Sequence, residues 1–115
     1  MTFDDVREIA LALPGAEEST SYGTPAFKVA GKMLARKHRD GVSLVVRISF
    51  DEREMLMEAE PETFYITDHY RAYPALLVRI ETVHPGTPKH ILEQTWRQVA
   101  PKKLVAAFEA QTSSL

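Results

Sequence analysis

The side chains in this sequence able to do more than pack are four tyrosines, one tryptophan, four histidines and a cluster of cations. The histidines, His38, His69, His84 and His90, form no i, i+4 pair on a helix, and no carboxylates recur around them in a metal-binding rhythm. With no cysteine there is no thiolate nucleophile, no disulfide and no Cys-based zinc or iron–sulfur site. No metal or cofactor is expected. Asp68-His69 lacks a nucleophile-elbow sequence to complete a triad, and adjacent residues in a turn point different ways. The glycines are isolated, which rules out a phosphate loop or a dinucleotide fingerprint. Glu17 and Glu18 are adjacent, so their carboxyls diverge instead of converging on a substrate, and they read as loop decoration. The inventory argues for a binding domain and against an enzyme.

Two binding surfaces follow. Between Lys28 and Arg47 stand Lys28, Lys32, Arg36, Lys37, Arg39 and Arg47 against the single acid Asp40, whereas from Asp51 to Glu62 six acids oppose only Arg53. The first five cations could form a basic hairpin that meets the phosphates of DNA, weakly and without sequence specificity, with Lys32, Arg36 and Lys37 on exposed strand positions. A net charge of −2 excludes a polycation, so the hairpin would have to act locally. The alternative surface is a small-ligand or protein-interaction pocket built from Tyr22, Tyr70, Tyr73 and Trp96 with Arg79 or Lys102 beside it, since Tyr and Trp join a large ring to a hydrogen-bonding atom. Packing competes for the same rings: Trp96 sits on an apolar helical stripe, and Pro74 holds Tyr73 extended. Lys102 and Lys103 at a helix start oppose the macrodipole, which calls for a carboxylate such as Glu93 or Glu109, or an anionic ligand.

The elements that must position these groups are legible from period and punctuation. Thr2 and Asp5 resemble a cap for an amphipathic helix over residues 3 to 13, ended by Pro14-Gly15. Thr20 to Ile48 reads as an antiparallel meander, with a hairpin at Ala30-Gly31 that sets Phe27 opposite Leu34 and a second turn at Asp40-Gly41. Arg39 or Val42 could join the second loop. Ser49 and Glu52 cap a short helix with Met55, Leu56 and Ala59 as its apolar stripe, stopping at Pro61. Thr63 to Ile66 reads as a short strand and Ala75 to Val83 as a long one, with Leu76, Val78 and Ile80 on one side. Thr87 as cap and Pro88 in first position open a helix through Val99 that buries Ile91, Leu92, Thr95, Trp96 and Val99, and Pro101 starts a last helix. The expected architecture is α+β: an antiparallel meander with an embedded helix, flanked by an N-terminal helix and two C-terminal helices.

At 115 residues, with 44% hydrophobic and 26% charged residues, the chain suits one globular domain over 1–115. The core is expected to include Val6, Ile9, Phe27, Leu56, Val78, Leu92 and Trp96. No apolar run approaches a membrane span, and the N-terminus lacks the basic and apolar regions of a signal peptide, so no membrane partner and a cytoplasmic address are expected.

Three segments carry a family resemblance: Glu18 to Val29 (ESTSYGTPAFKV) with Gly31-Lys32; His69-Tyr70, Tyr73-Pro74 and Leu77-Val78-Arg79; and Trp96 with Ala100 to Leu104. Together they resemble the MmcQ/YjbR-like family over nearly the whole chain. The resemblance implies an α+β domain on an antiparallel sheet with hairpin wings, similar to the double-wing module of a phage transcription factor. It also implies nucleic-acid binding, by analogy of fold, and brings no catalytic residue set.

Overall fold

The computed structural model describes residues 1–21 and 23–113. Six strands form one antiparallel sheet in the order β1-β2-β3-β4-β6-β5. The strands are β1 (Ala16–Ser21), β2 (Thr24–Val29), β3 (Lys32–Lys37), β4 (Ser43–Arg47), β5 (Phe64–Tyr65) and β6 (Ala75–Arg79). Helix α1 (Phe3–Leu11) precedes the sheet, α2 (Phe50–Ala59) lies between β4 and β5, and α3 (Gly86–Val99) and α4 (Lys102–Ser113) follow it. The α+β architecture read from the sequence is the architecture of the protein.

Local chemistry explains most boundaries. The Thr2 hydroxyl accepts from the Asp5 N–H while the Asp5 carboxylate accepts from the Thr2 N–H, a reciprocal box that starts α1. The Ser49 hydroxyl accepts from Glu52 N–H at 3.2 Å and starts α2. Thr87 does not cap α3: the helix begins at Gly86, with Pro85 in the cap position, and Gly86 N–H donates to His84 Nδ1 at 3.1 Å. The strand expected over Ala75 to Val83 ends at Arg79, and Val83 N–H turns back to the Arg79 carbonyl.

Register departs from expectation at one place with consequences for the core. Ala30 (φ +51°) and Gly31 (φ +79°) make the tight turn, with Val29 opposite Lys32 and Lys28 opposite Met33. A bulge then shifts the pairing so that Phe27 faces Ala35, not Leu34. The extra residue lets Leu34 and Ala35 both join the core around Phe27, all three fully buried. The next loop is longer than two residues: His38 N–H reaches the Ser43 carbonyl, and both Arg39 and Val42 lie inside the loop, with Gly41 at φ +78°. Glu17 and Glu18 sit in β1 rather than in a loop.

The two faces of the sheet differ. One carries Phe27, Val29, Leu34, Leu44, Val46, Leu76 and Val78 into the main core under Val6 and Ala10 of α1 and Ile91, Leu92, Trp96 and Val99 of α3. The other holds a small second cluster, Val45, Leu77 and Tyr70, flanked by Tyr65, Ile66 and Ala75. Of the expected core, Val6, Phe27, Val78, Leu92 and Trp96 are buried, while Ile9 and Leu56 are partly buried against it. Helix α2 has almost no apolar stripe, for Met55 is 69% exposed and Ala59 is exposed. Its one buried residue is Arg53. No described helix is long and apolar enough to cross a membrane.

Candidate functional site

The second face carries a cavity of about 560 Å³. Strand β3 supplies its floor. Arg36 and His38 are two residues apart in an extended chain, so both project to this face, and Arg36 pairs in register with Val45 at the centre of the small cluster. Arg39 of the following loop, Thr24 of β2, and Thr67 to Tyr70 complete the lining.

The opposing wall is the tyrosine-rich turn, which includes a 3-10 turn at Asp68–Tyr70. The buried Arg36 guanidinium donates through Nη2 to the Tyr70 hydroxyl and lies 6.0 Å from its ring. His69 meets the Tyr70 ring edge-on, with centroids 4.8 Å apart and planes at 88°. What holds this irregular segment is Arg53. Its Nη1 reaches the carbonyls of Tyr70 (3.1 Å), Tyr73 (2.7 Å) and Ala75 (3.2 Å), and its Nη2 that of Arg71 (3.2 Å). The turn has backbone bonds of its own, Tyr73 N–H to the Tyr70 carbonyl and Ala75 N–H to that of Tyr73 among them, and the planar cation ties four of its carbonyls to α2.

Behind the cavity a chain of hydrogen bonds anchors His38. The Tyr65 hydroxyl donates its single proton to Asp40 Oδ2 at 2.9 Å, so at the 2.5 Å contact between Ser43 and Tyr65 it is Ser43 that donates. Asp40 Oδ2 in turn lies 3.2 Å from His38 Nδ1. Burial alone would raise the Asp40 carboxyl, but hydrogen bonds from Val42 N–H, the Tyr65 hydroxyl, Ser43 N–H and His38 together outweigh it and lower it from 3.8 to about 2. Burial, reinforced by that carboxylate, raises the Tyr65 phenol above its ordinary value. Asp40 is therefore a fixed negative charge holding one ring nitrogen of His38.

The residues read from the sequence are redistributed. Of the five hairpin cations, Lys28 and Arg36 belong to the cavity face, while Lys32 pairs with Val29 and Lys37 with Leu44 on the helix-covered face. Lys37 is half-buried, with Nζ 5.1 Å from the Phe3 ring centre, and Arg39 lies exposed in the loop. Arg36, expected on an exposed strand position, is buried because its strand passes beneath Tyr70. The five do not make one basic surface.

The aromatic cluster is divided as well. Trp96 is fully buried in the main core, its Nε1–H donating to the Pro14 carbonyl at 2.8 Å and its ring edge-on to Phe108, whereas Tyr70 lies across the sheet in the second cluster. Arg79 covers the Tyr65 ring at 4.1 Å and donates to the Glu62 carbonyl at 2.7 Å, away from Trp96. Tyr73 is 57% exposed beside His69, and Lys102 is an exposed residue at the start of α4. Glu93 and Glu109 pair with Arg97 instead of compensating the lysines. Tyr22 lies outside the described residues. In the sequence, His38 and His69 read only as candidate metal ligands or triad members and Arg53 only as a lone cation in an acidic run, and none of them falls on a binding surface expected there. The i, i+2 spacing of Arg36 and His38 and the isolation of Arg53 in an acidic helix were the available signals. Among the described residues no group of His, Asp and Glu is arranged to hold a metal.

Fold and cavity together define a small α+β domain with a cation-lined pocket on the open side of an antiparallel sheet. The YjbR family model matches residues 11–98, and the chain belongs to that family. Two mycobacterial relatives are each 29% identical to it over 96% of this chain and 98% of their own: the uncharacterized proteins Rv2570 of Mycobacterium tuberculosis and Mb2600 of Mycobacterium bovis. The crystal structure of Deinococcus radiodurans DR2400, a DUF419 domain, shares the fold with a TM-score of 0.72 at 23% identity, covering 85% of this chain and 78% of that one.

Proposed function

We propose that the protein is a non-enzymatic binding domain whose ligand is a small anion-bearing molecule held in the cavity between β3 and the tyrosine-rich turn. One observation carries this reading: a cavity of about 560 Å³, within the usual range for ligand sites, has a buried arginine in its floor and a second arginine and two histidines around it. The chemistry available is recognition by charge and hydrogen bonding. Asp40 fixes His38 from behind, Tyr70 fixes Arg36, and Arg53 fixes the wall that carries His69 and Tyr70, so the donors are positioned before a ligand arrives. The hairpin reading, in which Lys28, Lys32, Arg36, Lys37 and Arg39 grip DNA, is less well served, because those cations divide between two faces and a loop.

Thermal unfolding with increasing phosphate, a dicarboxylate or duplex DNA tests the proposal, since a ligand that binds only the folded protein stabilises it by about 2.7 kcal/mol at a hundred times its Kd. The expected result is stabilisation by a small anion that weakens in Arg39→Gln and is unchanged in Lys32→Gln. Stabilisation by duplex DNA alone, lost in Lys32→Gln, would replace this reading with the basic-hairpin one.

A further inference from the structure

We infer that the cavity takes a mononucleotide, with its phosphate on Arg36 and Arg39 and its base against His69; this rests on the cavity's being an anion site. The lining is rich in donors and poor in acceptors. Arg36 and Arg39 can only donate, Tyr70, Thr24 and Thr67 carry hydroxyls, and His38, whose Nδ1 is held by Asp40, has Nε2 left to offer a ligand. Asp68, the acceptor-only side chain among the described lining residues, accepts from Arg71 through Oδ1 at 2.6 Å. With Arg71 and the Asp40 carboxylate behind His38 both counted, three arginines stand against two carboxylates around the cavity. A lining of this kind is complementary to a group that only accepts and that offers several oxygens in different directions. A phosphomonoester meets that description more fully than a planar carboxylate does.

Volume and shape supply the rest of the ligand. A phosphate occupies only a small part of a space of about 560 Å³, so the molecule has a substantial second half. On the turn side that half meets flat rings. His69 is exposed on the cavity wall, edge-on to Tyr70, and its ring stands 6.0 Å from that of the exposed Tyr73 at 35°. An exposed imidazole set perpendicular to one tyrosine ring and beside a second, exposed one offers aromatic surface to a flat heterocycle, and every nucleobase presents such a face.

Isothermal titration of the full chain with inorganic phosphate, ribose 5-phosphate, an unphosphorylated nucleoside, nucleoside 5′-monophosphates and a single-stranded oligonucleotide resolves the two halves. A monophosphate should bind about tenfold or more tighter than ribose 5-phosphate, the increment expected of one stacked base. His69→Ala should remove that difference and leave ribose 5-phosphate unchanged, whereas His69→Phe should preserve it. Arg39→Gln should weaken both phosphates together. Equal affinity for ribose 5-phosphate and the nucleotide, or a preference that survives His69→Ala, overturns the nucleotide assignment while the anion site stands. Absence of binding by every phosphate overturns both. An oligonucleotide binding more than about tenfold tighter than the monomer would transfer the site from a free nucleotide to a strand.

Discussion

Replacing Arg53 with methionine tests how the cavity wall is held. Arg53 is 4% exposed, and its terminal nitrogens face the carbonyls of Tyr70, Arg71, Tyr73 and Ala75. Nη1 has two hydrogens for three carbonyls, so those contacts share donors and the four do not count as four full bonds. With Nη2 they amount to about three charge-assisted bonds, each worth roughly 1.5–3 kcal/mol net. Two terms oppose this. Nε is buried with no hydrogen-bond partner, the nearest carboxylate oxygen of Glu54 being 3.9 Å away, so part of the cation's desolvation is uncompensated. The Tyr70 and Tyr73 carbonyls also accept backbone N–H groups of Tyr73 and Ala75, so they are not stranded when the arginine goes. Methionine keeps much of the side-chain volume, and the expected loss is about 3 kcal/mol, with about 1–2 kcal/mol for Arg53→Lys, which retains the charge but not the fork. Urea titration gives both numbers. Amide exchange should localise the loosening to residues 70–75, and the cavity should lose ligand affinity in protein that is still folded. A loss below about 1 kcal/mol in Arg53→Met would refute the reasoning, because water would then satisfy those carbonyls equally well.

Three further outcomes are expected. Trp96→Ala should cost about 3–5 kcal/mol in a denaturant titration, since it removes a fully buried ring and its bond to the Pro14 carbonyl, and a cost under about 1 kcal/mol would contradict its core role. Gly15→Ala should destabilise by about 1–2 kcal/mol or more, since Gly15 has φ +75° and a Cβ there would stand 2.8 Å from Leu104 Cδ1; an unchanged melting temperature would contradict this. Asp40 is lowered to about 2, so the stability it contributes is fully present above its ordinary value of 3.8 and is lost as pH falls through about 2. Asp40→Asn should flatten the pH dependence of stability in that window, and an unaltered acid limb would exclude the hydrogen-bond network as its source.

Fold class was legible in the sequence because it depends on local signals repeated many times. The caps at Thr2 and Ser49, the alternation of Leu76, Val78 and Ile80, and the helical stripe of Ile91, Leu92, Thr95, Trp96 and Val99 each act within a few residues. Tertiary structure decided the details that depend on partners distant in the chain. One bulge in β3 moved Phe27 from Leu34 to Ala35, and no turn residue announces a bulge. Lys28, Lys32, Arg36, Lys37 and Arg39 look like one basic unit in sequence, but alternation separates the strand positions and only the sheet's coverage says which face is solvent. Arg36 is buried because a turn 34 residues away lays Tyr70 over it. Arg53 reads as a lone cation on a solvated acidic helix, and its role depends on carbonyls 17 to 22 residues further on. The sequence by itself determined the elements and the family. The site was decided by which face of one sheet the helices left open, since that choice depends on packing between elements and not on the pattern within any one of them.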